Sequence, residues 1–402
     1  MRDVAKYLSS KQNTVDQELA AEWAKLESLY NKKLWHQLTI EMLDFVKHPS
    51  LQSNNELVQL YENFVADFEN KINLLSLTEM CAVIVKQMGT PEDRLSFLKQ
   101  LQEKVKANKE ALALCKVLSG GIILHEKGDQ AETKNIMEEI EKILDDTDGI
   151  TPVHGRYYSL CSDFYRIYGK HADFYRASLR YLGCIELTSL SAAEQKSQAF
   201  HLGIAALLGE GIYNLGELLA HPVLESLKNQ EESWLVDLLF IMNAGDIAGF
   251  HKLRPRWSSQ ADLVTNERIV LQKITLLALM EMTFKRPATK RNLSFKDIAA
   301  STGAREDEVE LLVMKALAQG LLKGTIDQVD SIAHFTWVQP RVLDKTQVLF
   351  FLLLLVPLKL KDKTYSLCFQ LSSMMTRLEN WCKDIESVET LVETKANDIL
   401  TM

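Results

Sequence analysis

From about residue 17 to residue 257, apolar side chains return every three or four positions in stretch after stretch, and strand-like alternation is nearly absent before residue 320. A 3.6-residue period buries one face of a helix, whereas a half-buried strand needs a period of two. The pattern therefore predicts packed helices and excludes a Rossmann or barrel enzyme core built on parallel strands. Leu57, Leu60, Tyr61, Phe64 and Phe68 trace one such face. Leu95, Leu98, Gln102 and Val105 trace a looser one, and Ile136, Ile140, Ile143 and Leu144 a third. Thr90-Pro91 and Thr151-Pro152 mark helix starts, since threonine caps and proline suits the first helical position. Gly128-Asp129 and Gly245-Asp246 read as turns inside helical hairpins. The expected fold class is all-α: an α-solenoid of TPR-like helical hairpins over residues 1–257. No strict repeat consensus is present, so the repeats are degenerate, and a single irregular helical bundle is the alternative.

The 402 residues suffice for two or three domains with their own cores. Hydrophobic residues make up 47% and charged residues 25%, as in globular domains, and no Pro/Gly/Ser-rich linker divides the chain. A net charge of −8 argues against a broad nucleic-acid or anionic-membrane surface. Six cysteines (Cys81, Cys115, Cys161, Cys184, Cys368, Cys382) form no close pair, and the N-terminal MRDVAKYLSSKQ lacks the apolar core of a secretory signal. These features predict a reducing compartment, cytoplasm and nucleus.

Glu267–Phe284 is apolar almost all round and should be a buried helix leading into a second module. In that module Ser294 caps a short helix, with Asp297 three residues on, and a second helix begins near Glu306. Strands 322–326 and 333–338 flank the turn-forming residues 327–331. Two short helices followed by a hairpin make a winged helix. Its core should include Ile298, Ala299, Val309, Leu312, Val313, Ala316 and Leu317. Such modules commonly read DNA with the start of the second helix. Here that turn carries Glu306, Asp307, Glu308 and Glu310, which a phosphate backbone would repel. The module is expected to touch protein. On its last strand His334 and Trp337 are candidates, one packing in the sheet and the other facing a partner.

At the C-terminus, residues 371–400 place Leu371, Met374, Leu378, Trp381, Ile385, Val388, Val392 and Ile399 at three-to-four spacing, broken only by Lys395. This narrow stripe predicts a long helix with a coiled-coil-type seam that docks among partner helices. Between the two lies an 11-residue apolar run, 348–358, too short for the roughly 20 residues that a bilayer-spanning helix needs, and interrupted by Pro357. No membrane role is expected.

No catalytic constellation emerges. HExxH, HxH and CxxC are missing, as are a phosphate loop and a GxSxG elbow. Gly209-Glu210-Gly211 with Gly216 follows a helical stretch and reads as a loop between helices. His36, beside Trp35 and two lysines, reads as a partly exposed helix residue, and His221-Pro222 as a helix boundary. The expectation is a protein without catalytic activity, metal, cofactor or small-molecule substrate.

A helical solenoid, a winged helix and a terminal helix in this order resemble the PCI-domain proteins, scaffold subunits of the proteasome lid, the signalosome and translation initiation factor 3. The blocks NKKLWHQLT (31–39), LYENFVADFE (60–69), LLGEGIYNLGELLAHPVLESL (207–227), LALMEMTFKRPA (277–288), VELLVMKALAQGL (309–321) and TWVQPRVLD (336–344) resemble, nearly end to end, the regulatory subunits of the proteasome-lid branch. The resemblance implies a PCI helical part from about residue 174, a winged-helix part over 258–344 and a bundle helix over 371–402. It further implies a non-catalytic role in lid assembly and ubiquitin-dependent degradation. Strand 333–338 would then offer its backbone edge to a neighbouring subunit, with His334, Phe335 and Trp337 at the interface. Leu378, Trp381, Ile385, Val388 and Val392 would face the helix bundle. The alternatives are another PCI scaffold (signalosome or initiation factor 3) or, from a different class, a winged-helix nucleic-acid binder.

One departure from the family is sharp. Removing the 23 residues 348–370 restores the family's direct run into the terminal helix. Valine codons begin GT, and Phe-Gln can be written as a pyrimidine-rich triplet followed by CAG. The segment is expected to be a translated retained intron or a gene-model error, the alternative being a genuine lineage-specific loop. If translated, it should be poorly packed and, being apolar, prone to aggregation.

Overall fold

Gly128 and Gly245 both adopt the left-handed conformation (φ 68°), and the aspartate after each caps the next helix. Asp129 accepts a hydrogen bond from the Glu132 N–H at 3.0 Å, and Asp246 one from the Gly249 N–H at 2.9 Å. A left-handed residue that ends one helix, followed at once by a side-chain cap that starts another, reverses the chain in two residues. Two of the helical pairs turn in this way, and a third turns at Gly169-Lys170 in extended backbone without a side-chain cap. Lys109–Ile122 packs on Gln130–Asp145, Pro152–Tyr168 on His171–Cys184, and Ser233–Ala244 on Ile247–Trp257. The structure, a computed structural model, describes residues 4–340 apart from 15–16, 53–54, 148, 229 and 288–289.

Helix starts fall where the sequence placed them. Helices begin at Pro91 and Pro152, and the Thr90 hydroxyl accepts from the Asp93 N–H at 3.2 Å. Ser191 and Glu194 form a reciprocal capping box at the start of Ala192–Leu208. The face Leu57, Leu60, Tyr61, Phe64 and Phe68 is buried as its spacing demands. Its helix, however, widens to i→i+5 pairing over Tyr61–Val65, an insertion that periodicity alone does not reveal.

Three apolar cores run along the described chain. The first gathers residues from Val4 to Cys115 around Trp23, Phe45, Phe64 and Phe68. A smaller one joins Ala113, Leu114, Met137, Ile140, Tyr157 and Phe164. The third is continuous from Ala172 to Val338, so the last helical pairs and the winged helix share one interior. Its axis is Glu267–Phe284, buried along most of its length as expected, although Ile269 in its first turn is exposed.

The winged helix carries three strands: β1 (Asn292–Ser294), β2 (Leu322–Asp327) and β3 (Ile332–Val338), in antiparallel order β1-β3-β2. The helices Phe295–Thr302 and Glu306–Ala318 lie between β1 and β2 in sequence. Ser294 accepts from the Asp297 N–H at 3.2 Å, the expected cap. Ile298, Val309, Val313 and Ala316 are buried, while Ala299, Leu312 and Leu317 pack partly buried against them. β1 was not anticipated. Three residues carry no readable period, and they become a strand only because β3 pairs with them.

The helical repeats followed by the winged helix agree with the fold expected from the sequence. The segment 345–370 and the terminal helix 371–402 lie outside the described residues.

Candidate protein-interaction surface

The sheet decides which backbone is open to a partner, and it corrects the expectation for β3. Residues 333–335 are covered on both sides and are not an edge, whereas β1 stops short of residues 336–338. β3 is the central strand, paired with β2 along its length and with β1 at Ile332, Ala333 and His334, and the Phe335 N–H donates to the Arg291 carbonyl at 3.0 Å. Two strands lack a second neighbour among the described residues, the three-residue β1 and the longer β2, Leu322–Asp327, which offers the more extended edge. Edge backbone groups of this kind can pair with another chain.

A bulge sets the side-chain faces. Lys323 pairs with Trp337 and Gly324 with Phe335, leaving Thr336 as an extra residue on β3. Its hydroxyl donates to the Lys323 carbonyl at 3.1 Å. Gly324 is required here, because a Cβ would sit 2.0 Å from the His334 carbonyl oxygen. The bulge breaks the alternation, so Ala333, Phe335 and Val338 point inward while Thr336 and Trp337 face out. Phe335 is thus a core residue, 4% exposed, and not the interface residue expected from the sequence. His334 is half-buried, and Trp337 is 38% exposed with the Lys323 ammonium 5.1 Å from its ring centroid. Of the three strand candidates, Trp337 alone presents a large exposed aromatic surface. Leu378, Trp381, Ile385, Val388 and Val392 lie outside the described residues.

The second helix confirms the chemistry read from its sequence. Glu306, Asp307 and Glu308 are exposed in its first turn, and among the described residues Arg305 alone pairs with them, at 2.8 Å from Glu308 and 3.4 Å from Asp307. Leu311 and Met314 are also exposed, a signal that was present in the sequence but hidden within a run of apolar residues.

The winged helix is held to the helical part by two polar ties, one buried and one at the margin of the contact. The Lys273 ammonium donates to the carbonyls of Ala206, Leu207 and Gly209 at 2.6, 3.3 and 2.8 Å, at the C-terminal end of Ala192–Leu208. Burial pushes this amine down to about 7. The Tyr213 hydroxyl donates to Gln319 at 2.8 Å, linking the loop after the same helix to the end of Glu306–Ala318. The Gly209-Glu210-Gly211 segment is the loop expected.

Elsewhere, a groove between Gln130–Asp145, Pro152–Tyr168 and His171–Cys184 is lined by Glu138, Glu141, His154, Arg176 and Arg180. Cys161 also lines it, but burial pushes its thiol up to about 12, leaving it protonated and a poor nucleophile at neutral pH. Among the described residues no three His, Cys, Asp or Glu side chains gather into a metal-holding group.

Two family descriptions match the chain: "PSD13 N-terminal repeats" over residues 22–239 and "PCI domain" over residues 250–337. Among similar curated proteins, 26S proteasome non-ATPase regulatory subunit 13 homolog A of Arabidopsis thaliana is 38% identical over 351 residues, covering 85% of this chain and 91% of that protein. Homolog B of the same plant is 34% identical over 411 residues, covering 98% of each. The 26S proteasome non-ATPase regulatory subunit 13 of Dictyostelium discoideum is 33% identical over 391 residues, covering 95% of each.

Proposed function

This chain belongs to the family of 26S proteasome non-ATPase regulatory subunit 13, and from that premise we propose that it is a non-catalytic structural subunit of the proteasome regulatory-particle lid. Its work is lid assembly, and through it ubiquitin-dependent protein degradation, in cytoplasm and nucleus. The observation that carries this reading is the open edge of β2 on a winged helix whose core is continuous with the helical repeats. A rigid module with an unpaired strand edge and an acidic second helix suits a joint between protein subunits better than a nucleic-acid reader. We place the neighbouring lid subunit on β2, with Trp337 on the exposed side of the same sheet as a contact.

Affinity purification of the tagged full-length chain, with the co-purifying proteins identified by mass spectrometry, tests the assignment. Recovery of lid subunits together with proteasome ATPases is the expected result. Recovery of signalosome or initiation-factor subunits without the ATPases would reject it, as would salt-sensitive DNA binding by the purified chain with no lid association. Fluorescence of the tagged chain in both cytoplasm and nucleus is expected, and confinement to another compartment would reject the placement.

A further inference from the structure

Asp307, Glu310, Leu311 and Met314 occupy positions i, i+3, i+4 and i+7 of Glu306–Ala318 and therefore share one face. The opposite face, Val309, Val313 and Ala316, is buried in the core. On the outward face Leu311 is 67% and Met314 51% exposed. The wing turn lies beside them. Gln328 donates to Glu310 at 3.2 Å, and the next residue, Val329, is 93% exposed. The turn also carries Asp327, whose carboxylate accepts from the N–H groups of Val329 and Asp330, and Asp330 itself. Three exposed apolar side chains thus stand among Asp307, Glu310 and Asp330; of the two cations nearby on this element, Arg305 is already paired with Glu308 and Asp307, and Lys315, at i+4 from Leu311, leaves the carboxylates in excess.

We propose that this face, formed by helix Glu306–Ala318 and the wing turn, docks a cationic amphipathic segment of a partner protein. Apolar side chains of that segment would seat on Leu311, Met314 and Val329, and its lysines or arginines would pair with Asp307, Glu310 and Asp330. Charge complementarity selects the occupant. A polyanion is repelled, an acidic helix equally so, and a purely apolar one leaves the carboxylates uncompensated. Methionine adapts to side chains of different shape, which suits an anchor on an open surface. The surface offers side chains of the helix and the wing turn, whereas the edge of β2 offers backbone groups. The proposal rests on the reading that the chain works by holding other proteins, and it names the chemistry of one of them.

The test uses the full-length chain and a fluorescein-labelled short amphipathic Lys/Leu peptide, with a Glu/Leu peptide of the same pattern and a DNA duplex as comparators. Fluorescence anisotropy should show the Lys/Leu peptide binding at least about tenfold tighter than either comparator, and weakening as salt rises. The double substitution Leu311→Ser with Met314→Ser, and separately Glu310→Lys, should each weaken it about tenfold, while Ile150→Ser, at an exposed apolar residue of the helical part, leaves it unchanged. Circular dichroism of each variant checks that its helix content is retained. Equal binding of the two peptides, no loss in either variant, or tighter binding of DNA would overturn the proposal. A photo-crosslinking residue at position 311 of the chain in its purified complex should capture a segment with Lys or Arg at three-to-four spacing; capture of an acidic segment would overturn it as well. If the peptide results fail while wild-type chain still co-purifies with lid subunits, the docking face alone is wrong. If co-purification fails while peptide binding holds, it is the lid assignment that falls.

Discussion

The ammonium nitrogen of Lys273 lies 2.6 Å from the carbonyl oxygen of Ala206, and this bond anchors the axial helix of the third core to the end of Ala192–Leu208. A helix C-terminus leaves its last carbonyls without intrahelical partners, and Lys273 answers those of Ala206, Leu207 and Gly209 together. The bond comes with a desolvated amine that, among the described residues, has no carboxylate within ion-pairing distance and is faced by carbonyls and the Tyr213 ring at 5.7 Å.

That arrangement has a pH signature. The folded amine titrates near 7, below the 10.5 of a free lysine. Between those values the unfolded chain holds a proton that the folded chain has released, so the contribution of Lys273 to stability rises with pH across the window. The stability difference between wild type and Lys273→Met should therefore grow in favour of wild type by roughly 2 kcal/mol from pH 7 to pH 9. Urea denaturation of both proteins at the two pH values measures it. A difference flat with pH would show that the folded amine stays protonated.

Phe335 and Trp337 are two residues apart and should respond in opposite ways. Phe335→Ala removes a buried ring from the winged-helix core and should cost about 3–5 kcal/mol. Trp337→Ala, at the exposed sheet face, should change the stability of the isolated chain by less than about 1 kcal/mol. Chemical denaturation read by tryptophan fluorescence and circular dichroism separates the two. If Trp337→Ala is the more destabilising, the sheet faces described here are wrong.

Gly324→Ala tests the bulge. Its new methyl group meets the His334 carbonyl, which belongs to backbone and has no rotamer through which to yield. The expected outcome is destabilisation of at least about 2 kcal/mol, with faster amide hydrogen exchange in Leu322–Asp327 and Ile332–Val338 than elsewhere. Unchanged exchange in both strands would argue against so close an approach.

The edge of β2 should gain protection on assembly. Amides of Leu322–Asp327 that face away from β3 have no strand partner in the described chain, so they should exchange quickly when the chain is free and slowly within the complex. Hydrogen exchange with mass spectrometry on both forms reads this directly. Equal rates would exclude strand pairing as the joint.

The helical part was legible because its signals are local. Thr90-Pro91, Gly128-Asp129 and Gly245-Asp246 act on groups within three or four residues of themselves, and each does in the structure what its chemistry requires. Leu57 through Phe68 show the buried face faithfully even where the turn widens. The acidic start of Glu306–Ala318 was equally plain, since charge needs no folding to be read. The interaction surface was only partly legible. Trp337 stood out, but Phe335 was placed at the interface by the resemblance, which does not specify side-chain faces, and the extra residue Thr336 leaves Phe335 inward and Trp337 outward.

What the sequence by itself determined, then, is the run of helices, their caps, the winged-helix order of elements and the sign of charge on its second helix. Each follows from periodicity or from groups adjacent along the chain. Tertiary structure alone decided that Asn292–Ser294 is a strand, that β3 lies in the middle and β2 at the edge, that Phe335 points inward, and that Lys273 closes a helix end 64 to 67 residues away. These are properties of pairing between distant segments. A backbone carbonyl carries the same chemistry at every position, and only the folded chain specifies which donor reaches it.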